Sequence, residues 1–129
     1  MDLGCGKGGL IKSIVKRDDF KLLKTYLVGI DIYRPYLEVA KKIYHDVVVG
    51  DVRFLPFRIK SVDVIIVTEL IEHLSKSDAY NLIKDIEVIA KKQLQLITPV
   101  GDNSKYHLED NNPWQAHLSK WLPEEFGIF

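Results

Sequence analysis

The sequence predicts an α/β fold in which helices cover both faces of a mostly parallel sheet. Three observations support this prediction. A glycine-rich loop at residues 2–9 runs directly into a helical pattern. Short aliphatic runs alternate with amphipathic segments along the chain, as in βαβ units with right-handed crossovers. Polar side chains follow these runs, so they would meet at the carboxyl edge of the sheet, where open α/β sheets bind ligands.

The first element is the loop Asp-Leu-Gly-Cys-Gly-Lys-Gly-Gly at residues 2–9. Glycines let the backbone approach a ligand closely and adopt φ values that other residues avoid. Apolar residues then recur at helical spacing, which predicts a first helix over residues 8–17.

The next elements alternate between strand and helix. Residues 25–31 predict a buried strand because aliphatic side chains occupy both of its faces. Pro35 suits the first turn of a second helix, and the apolar stripe of this helix extends to Tyr44. Residues 47–49 predict a short third strand, which leads into a loop at residues 50–57.

The second half of the chain continues this alternation. Its clearest strand is the aliphatic run at residues 62–68. A helix then begins at Ser75, where Asp78 completes a Ser-x-x-Asp capping box. Residues 94–98 predict a fifth strand, and a polar loop leads from it to the start of a final helix at residues 121–126.

Length and composition restrict the classes of protein that this chain can represent. With 129 residues, 47% of them apolar, it is long enough for one domain, which spans residues 1–129. Lysines and arginines number 18, as do acids, and this zero net charge argues against a dominant nucleic-acid footprint. The single cysteine, Cys5, excludes an internal disulfide and suits a reducing compartment. Because no apolar run is long enough to span a membrane, we expect a cytoplasmic protein.

Two nucleotide-binding motifs can be compared with the glycine-rich loop. A phosphate-binding loop needs Ser or Thr after Gly-Lys, whereas Gly8 follows Lys7 here. A dinucleotide fold needs G-x-G-x-x-G, which Gly4, Gly6 and Gly9 satisfy. A nicotinamide-binding oxidoreductase domain is therefore one interpretation of the chain.

The same loop, taken with its acid, resembles the first motif of class I S-adenosylmethionine-dependent methyltransferases, a family with a Rossmann-like fold. Asp2, Gly4, Gly6 and Gly8 match the pattern Asp-x-Gly-x-Gly-x-Gly. In that family the loop holds the methionine end of the cofactor, and a carboxylate beside it suits the cationic groups there, directly or through water. The resemblance implies that these four residues, together with Cys5, bind S-adenosylmethionine.

Residues at the ends of the next strands extend the resemblance. Asp31 ends the second strand beside Ile32, where a carboxylate can accept hydrogen bonds from both ribose hydroxyls. The resemblance implies that Asp51 binds the adenine amino group and that the backbone N–H of Val52 reaches a ring nitrogen. It also implies that Glu69, after the fourth strand, lines the cofactor. Each acid has a structural alternative, since Asp31 can cap a helix and Asp51 can form a turn.

A metal ion is a further hypothesis for the segment after the fourth strand. Glu69-x-x-Glu72-His73, with the later His117, resembles the metal site of methyltransferases that modify the 3′ ends of small RNAs. Two carboxylates and two imidazoles could hold a divalent ion and bind two ribose hydroxyls of an acceptor. Because the balanced charge offers no track for RNA, we expect a site without a metal. The alternative for His117 is that it anchors its loop against Trp121.

The resemblance covers nearly the whole chain, with departures at both ends. Only Met1 precedes the acid that should follow the first strand, and the chain stops before the sixth and seventh strands of the family. We therefore expect a partial domain whose incomplete first strand leaves sheet edges exposed, so that self-association through such an edge is possible.

The sequence thus predicts transfer of a methyl group from S-adenosylmethionine to an unidentified acceptor, with a small molecule favoured and no membrane partner. No catalytic residue is assigned. Two alternatives are the nicotinamide-binding oxidoreductase domain and a non-catalytic remnant that acts through a partner.

Overall fold

The computed structural model describes residues 1–16, 25–101 and 111–126 of the chain. Within them, the strands are β1 (Asp2–Leu3), β2 (Val28–Asp31), β3 (Asp46–Val49), β4 (Val62–Thr68) and β5 (Ala90–Ile97). They form one sheet in the order β3-β2-β1-β4-β5, and all neighbouring pairs are parallel. The chain leaves β1 toward one edge and returns to its other side, so a ligand crevice is expected between β1 and β4.

The helices follow the predicted alternation with the strands. They are α1 (Gly9–Val15), α2 (Arg34–Ala40) and α3 (Lys76–Ile89). Pro35 lies in the first turn of α2, and the Ser75 hydroxyl caps α3 by accepting a hydrogen bond of 3.1 Å from the backbone N–H of Asp78. Short 3₁₀ turns occur at Val52–Phe54, Ile71–His73, Pro113–Gln115 and Pro123–Phe126.

Buried side chains lie on both faces of the sheet, which confirms the predicted doubly covered architecture. Along β4, Ile65 and Val67 face α3, whereas Ile66 packs on the side of α1 and α2. The cluster under α3 includes Leu3, Ile65, Val67, Leu82 and Ile86. The cluster on the opposite face contains Cys5, Ile11, Leu37, Ala40 and Tyr44.

The first strand is more complete than predicted. Asp2 and Leu3 pair with Gly29 and Ile30 of β2 on one side and with Ile66 and Val67 of β4 on the other. This short β1 therefore fills the centre of the sheet, and the outer strands are β3 and β5. The predicted association through an exposed edge stays a prediction, now for these two strands.

The fifth strand and the predicted final helix differ from the sequence prediction. The fifth strand begins at Ala90 instead of residue 94, because Ala90 and Gln93 pair with Val62 and Val64 of β4. The polar and exposed Lys91 and Lys92 lie between these pairs, where the register is irregular. The predicted final helix is only the 3₁₀ turn Pro123–Phe126. The predicted end of the first helix at residue 17, and part of the polar loop at residues 102–110, lie outside the described residues. None of the helices that the structure describes is long and apolar enough to cross a membrane.

Candidate active site

A cavity opens at the carboxyl ends of β1, β2 and β4. The glycine-rich loop and the loops after β2, β3 and β4 form most of its wall, and the segment around Trp114 forms the rest. Seven of the ten predicted cofactor contacts line this cavity: Gly4, Gly6, Asp31, Ile32, Asp51, Val52 and Glu69. The topology thus brings together residues that are up to 65 positions apart in the sequence, because parallel strands end at one edge.

Asp31 joins the end of β2 to the glycine-rich loop. Its Oδ2 accepts a hydrogen bond of 2.8 Å from the backbone N–H of Gly6, and its Oδ1 accepts one of 2.8 Å from Tyr33. Burial raises the pKa of Asp31, while these backbone donors act in the opposite direction. The two bonds fix the carboxylate on the cavity wall, where it faces any ligand that the loop holds.

Asp51 is held by Arg53, two residues later. Arg53 Nε lies 2.9 Å from Oδ1 and 3.0 Å from Oδ2 of Asp51, and its Nη2 also contacts Oδ2. The backbone N–H of Arg53 donates to Oδ1, so that Asp51 also caps the turn at Val52–Phe54. Hydrogen bonding to Arg53 lowers the pKa of Asp51. Asp51 therefore forms the turn that was considered as its structural alternative, and it also lines the cavity.

Three predicted cofactor residues of the glycine-rich loop, Asp2, Cys5 and Gly8, are not among the residues that line the cavity. Asp2 is 4% exposed, and its Oδ2 accepts a hydrogen bond from the Tyr44 hydroxyl. Cys5 is buried in the same cluster, and burial raises the pKa of its thiol. Gly8 has φ +82°, and a Cβ there would lie 2.9 Å from a carbon of Ile43. Asp2 and Gly8 pack against Tyr44 and Ile43, which follow α2, so these contacts support the loop. Their predicted contact with the cofactor stays a prediction.

Glu69 lines the cavity in an unusual backbone conformation. Its φ is +49°, in the left-handed region, and its N–H donates to Ile97 of β5 at 2.9 Å. A non-glycine residue held in this region is typical of functional sites. The sequence could not show this conformation, because it depends on the pairing between the ends of β4 and β5.

A cluster of possible metal ligands lies beside the cavity. One ligand atom each of Glu72, His73 and His117 lie within 4.8 Å of one another. The Thr98 hydroxyl donates to Oε2 of Glu72 at 2.9 Å, and Nδ1 of His73 lies 3.3 Å from the carbonyl of Ala116. Burial lowers the pKa of His73, which favours the neutral imidazole that binds metals.

The cluster contains three of the four residues that the metal hypothesis named. Glu69 is not part of it, because the segment that carries these residues does not form an α-helix. The turn Ile71–His73 is a short 3₁₀ turn, and Glu69 precedes it in the left-handed region. In an α-helix, Glu69 would lie beside Glu72 and His73, three and four residues later. The observed conformation does not bring Glu69 beside them in this way.

The segment that carries His117 is anchored to the turn that carries Glu72 and His73. The backbone N–H groups of Leu118 and Ser119 donate to the carbonyl of Glu72 at 2.7 and 3.0 Å. The Ser119 hydroxyl donates to the carbonyl of Ile71 at 3.1 Å, and Trp121 Nε1 donates to the same hydroxyl at 2.9 Å. Ser119 thus connects Trp121 to this turn, and the alternative in which His117 anchors the segment against Trp121 stays a prediction.

Three residues that line the cavity, Tyr36, Arg53 and Gln115, were not among the predicted site residues. Arg53 holds Asp51, and the side-chain amide of Gln115 donates to the Tyr36 hydroxyl at 2.8 Å. The last two residues are 79 positions apart, so that only the folded chain reveals their contact across the cavity.

Comparison with known proteins agrees with this architecture. The solved structure of PH0226 from Pyrococcus horikoshii is 27% identical, with a TM-score of 0.57 over 70% of this chain and 42% of that one. The small RNA methyltransferase HEN1 is 22% identical, with a TM-score of 0.73 over 98% of this chain and 18% of that one. A SAM dependent methyltransferase from Archaeoglobus fulgidus is 18% identical, with a TM-score of 0.64 over 98% of this chain and 55% of that one.

The chain therefore spans less than two thirds of each of these proteins. None of the curated proteins matches it significantly. Residues 1–93 match the family model described as a methyltransferase domain. This match covers the glycine-rich loop, four complete strands and the loops after β2, β3 and β4 that line the cavity, and by it the chain belongs to the methyltransferase domain family.

Proposed function

We propose that this chain binds S-adenosylmethionine and promotes transfer of its methyl group to a nucleophilic acceptor. The observation that carries the proposal is the position of Asp31, which is bonded to Gly6 of the glycine-rich loop on the wall of the cavity. A carboxylate there suits the ribose hydroxyls, while the glycines let the loop backbone approach the methionine end closely. Asp51 and the N–H of Val52 suit the adenine ring.

Methyl transfer requires mainly that the acceptor nucleophile be aligned with the methyl group of the cofactor. When bound, S-adenosylmethionine supplies an electrophilic methyl group that a nucleophile displaces in line from sulfur. The protein contributes by holding the two reactants at the correct distance and excluding water. Glu69 and His73 line the cavity. Glu69 can take a proton from an acceptor that arrives protonated, and His73 can do so when it is not coordinated to a metal ion.

The hydrogen bonding of the loop favours this cofactor over a nicotinamide dinucleotide. A pyrophosphate needs free backbone N–H groups at the glycine-rich loop. The N–H of Gly6 already donates to Asp31, and a phosphate at that donor would face the carboxylate at close range. The methionine end carries an ammonium and a sulfonium group and gains from the same carboxylate.

The charges on the cavity wall act in the same direction. Among the described residues that line it, four carry a carboxylate and one a guanidinium: Asp31, Asp51, Glu69, Asp78 and Arg53. Arg53 neutralises the charge of Asp51, so the carboxylates of Asp31, Glu69 and Asp78 make the electrostatic potential of the cavity negative. That potential attracts a cationic cofactor and repels a dianionic pyrophosphate.

Calorimetric titration tests the proposed cofactor. We expect the chain to bind S-adenosylhomocysteine and S-adenosylmethionine with a one-to-one stoichiometry and to give no heat with a reduced nicotinamide dinucleotide at equal concentration. Binding of the nicotinamide cofactor alone would establish the oxidoreductase alternative. Binding of neither by a chain with an intact cooperative unfolding transition would support the non-catalytic alternative.

We also propose that Glu72, His73 and His117 hold a divalent ion that helps to bind the acceptor. One carboxylate and two imidazoles leave coordination positions open for ligands with oxygen atoms. The Thr98 hydroxyl orients Glu72, as partners of metal ligands commonly do. When bound, such an ion supplies charge and orientation to an acceptor with two neighbouring hydroxyls. A terminal ribose of RNA has this geometry, and one structure with the same fold is a small RNA methyltransferase.

Cobalt binding tests the metal site in the protein as it is. We expect Co²⁺ to bind with one-to-one stoichiometry, and the variant His117→Ala to bind it at least ~10-fold more weakly, since loss even of a partner of a ligand has that effect. His45→Ala is the matched control, because His45 accepts a hydrogen bond from Leu27 on the outer side of the sheet. Equal affinity of His117→Ala and the wild type would refute the site.

A further inference from the structure

The contact between Arg53 and Asp51 is more extensive than a cap requires. The backbone N–H of Arg53 is sufficient to complete the cap, at 3.0 Å from Oδ1. In addition, the guanidinium contacts both carboxylate oxygens through Nε, at 2.9 and 3.0 Å, and contacts Oδ2 through Nη2. Both residues line the cavity. A planar guanidinium in this arrangement fixes the rotation of the carboxylate, which a single backbone donor does not do.

A fixed carboxylate discriminates between bases by the direction of its remaining lone pairs. An ionised carboxylate only accepts hydrogen bonds. It therefore suits the exocyclic amino group of adenine and repels the keto oxygen that hypoxanthine carries at the same position. Hypoxanthine also has a donor, N1–H, next to that oxygen. A carboxylate that can rotate or shift could accept from N1–H and tolerate the wrong base, whereas a carboxylate held by Arg53 cannot make this adjustment.

We infer that Arg53 is a positioning residue that makes the cavity selective for adenine, by fixing the orientation of Asp51. This inference rests on the proposed function, because it assumes that the adenine end of S-adenosylmethionine lies against Asp51. Arg53 acts through Asp51 and not through contact with the reacting atoms. Its role is to keep the affinity for adenine higher than the affinity for hypoxanthine.

The test compares the affinities of S-adenosylhomocysteine and S-inosylhomocysteine, measured by calorimetry. We expect the wild type to prefer the adenosyl compound by about 30-fold, the size of effect expected from loss of one hydrogen bond to a charged group. In Arg53→Ala, this preference is expected to fall to about threefold, mainly through better relative binding of the inosyl compound. Arg58→Ala is the matched control, since Arg58 is an exposed arginine of the same loop region, and it is expected to keep the wild-type ratio.

The ratio separates selectivity from a merely structural effect. If Arg53 only stabilised the turn, Arg53→Ala would weaken both compounds equally and leave their ratio unchanged, which would overturn the inference while the proposed function stands. Binding of neither compound by the wild type would overturn the proposed function and the inference together. Arg53→Lys supplies a second variant with the charge retained, and it is expected to have an intermediate ratio, because an ammonium cannot contact both oxygens in the same planar way.

Discussion

Replacement of Asp31 by alanine is expected to weaken the binding of S-adenosylhomocysteine about 100-fold. The variant removes the acceptor for the proposed ribose contacts, and hydrogen bonds to a charged group contribute about 1.5–3 kcal/mol each. It also leaves the N–H groups of Gly6 and Tyr33 without the acceptor that joins β2 to the glycine-rich loop. Calorimetric titration measures the effect directly, beside a thermal unfolding curve that shows whether the variant is folded.

Asp46→Ala is the matched control for this loss, because Asp46 is exposed on β3 and bonds the N–H of the adjacent Val47. Its affinity is expected to equal that of the wild type. Asp31→Asn keeps one acceptor for the backbone and removes the charge, so its affinity should lie between the two. An Asp31→Ala variant with affinity within threefold of the wild type would contradict the assignment of Asp31.

The pH dependence of binding gives an independent check on the same residue. Burial raises the pKa of Asp31 in the folded chain above its usual value. If the ionised form binds the ribose, affinity should therefore decrease on acidification at a pH higher than for an ordinary aspartate. Asp31→Asn should lack this decrease. For folding alone the sign is opposite: the raised pKa lowers stability as the pH rises from the unfolded pKa through the folded pKa.

The sequence was sufficient for those parts of the fold that local patterns determine. The aliphatic run at residues 62–68 became β4 with the predicted bounds, and Ser75 caps α3 as its motif indicated. The start of β5 was missed because an edge strand exposes its side chains. Its residues Lys91 and Lys92 lack the apolar character that identifies a buried strand, while pairing with β4 occurs at Ala90 and Gln93 on either side of them.

For the candidate site, too, some features could be predicted from local sequence patterns and others depend on contacts between distant residues. Strand ends and glycines can be located in the sequence, and seven of the ten predicted contacts do line the cavity. The sequence does not show which face of a two-residue strand a side chain will occupy, so it could not show that Asp2 accepts a hydrogen bond from Tyr44. Nor does it show that His117 meets His73, because that proximity depends on hydrogen bonds from Ser119 to the turn Ile71–His73.

Replacement of Trp121 by alanine is expected to cost about 3–5 kcal/mol of unfolding free energy, the usual range for a buried aromatic residue. Trp121 is 1% exposed, and its ring packs against Tyr80 and Phe126 with centroids 5.4 and 5.3 Å apart. The ammonium of Lys76, which lies one turn before Tyr80 on α3, is 3.8 Å from the centroid of the Trp121 ring. Urea unfolding followed by far-ultraviolet circular dichroism measures the loss without relying on tryptophan fluorescence.

Trp114→Ala is the matched control, since Trp114 is 48% exposed and should change the unfolding free energy by less than ~1 kcal/mol. Equal losses in the two variants would contradict the anchoring role of Trp121. Trp121→Phe retains an aromatic ring but removes the bond from Nε1 to Ser119. If Trp121 holds His117 in place through Ser119, this variant should remain folded and bind Co²⁺ more weakly than the wild type. That result would connect the core packing under α3 to the geometry of the proposed metal site, because the same short segment belongs to both.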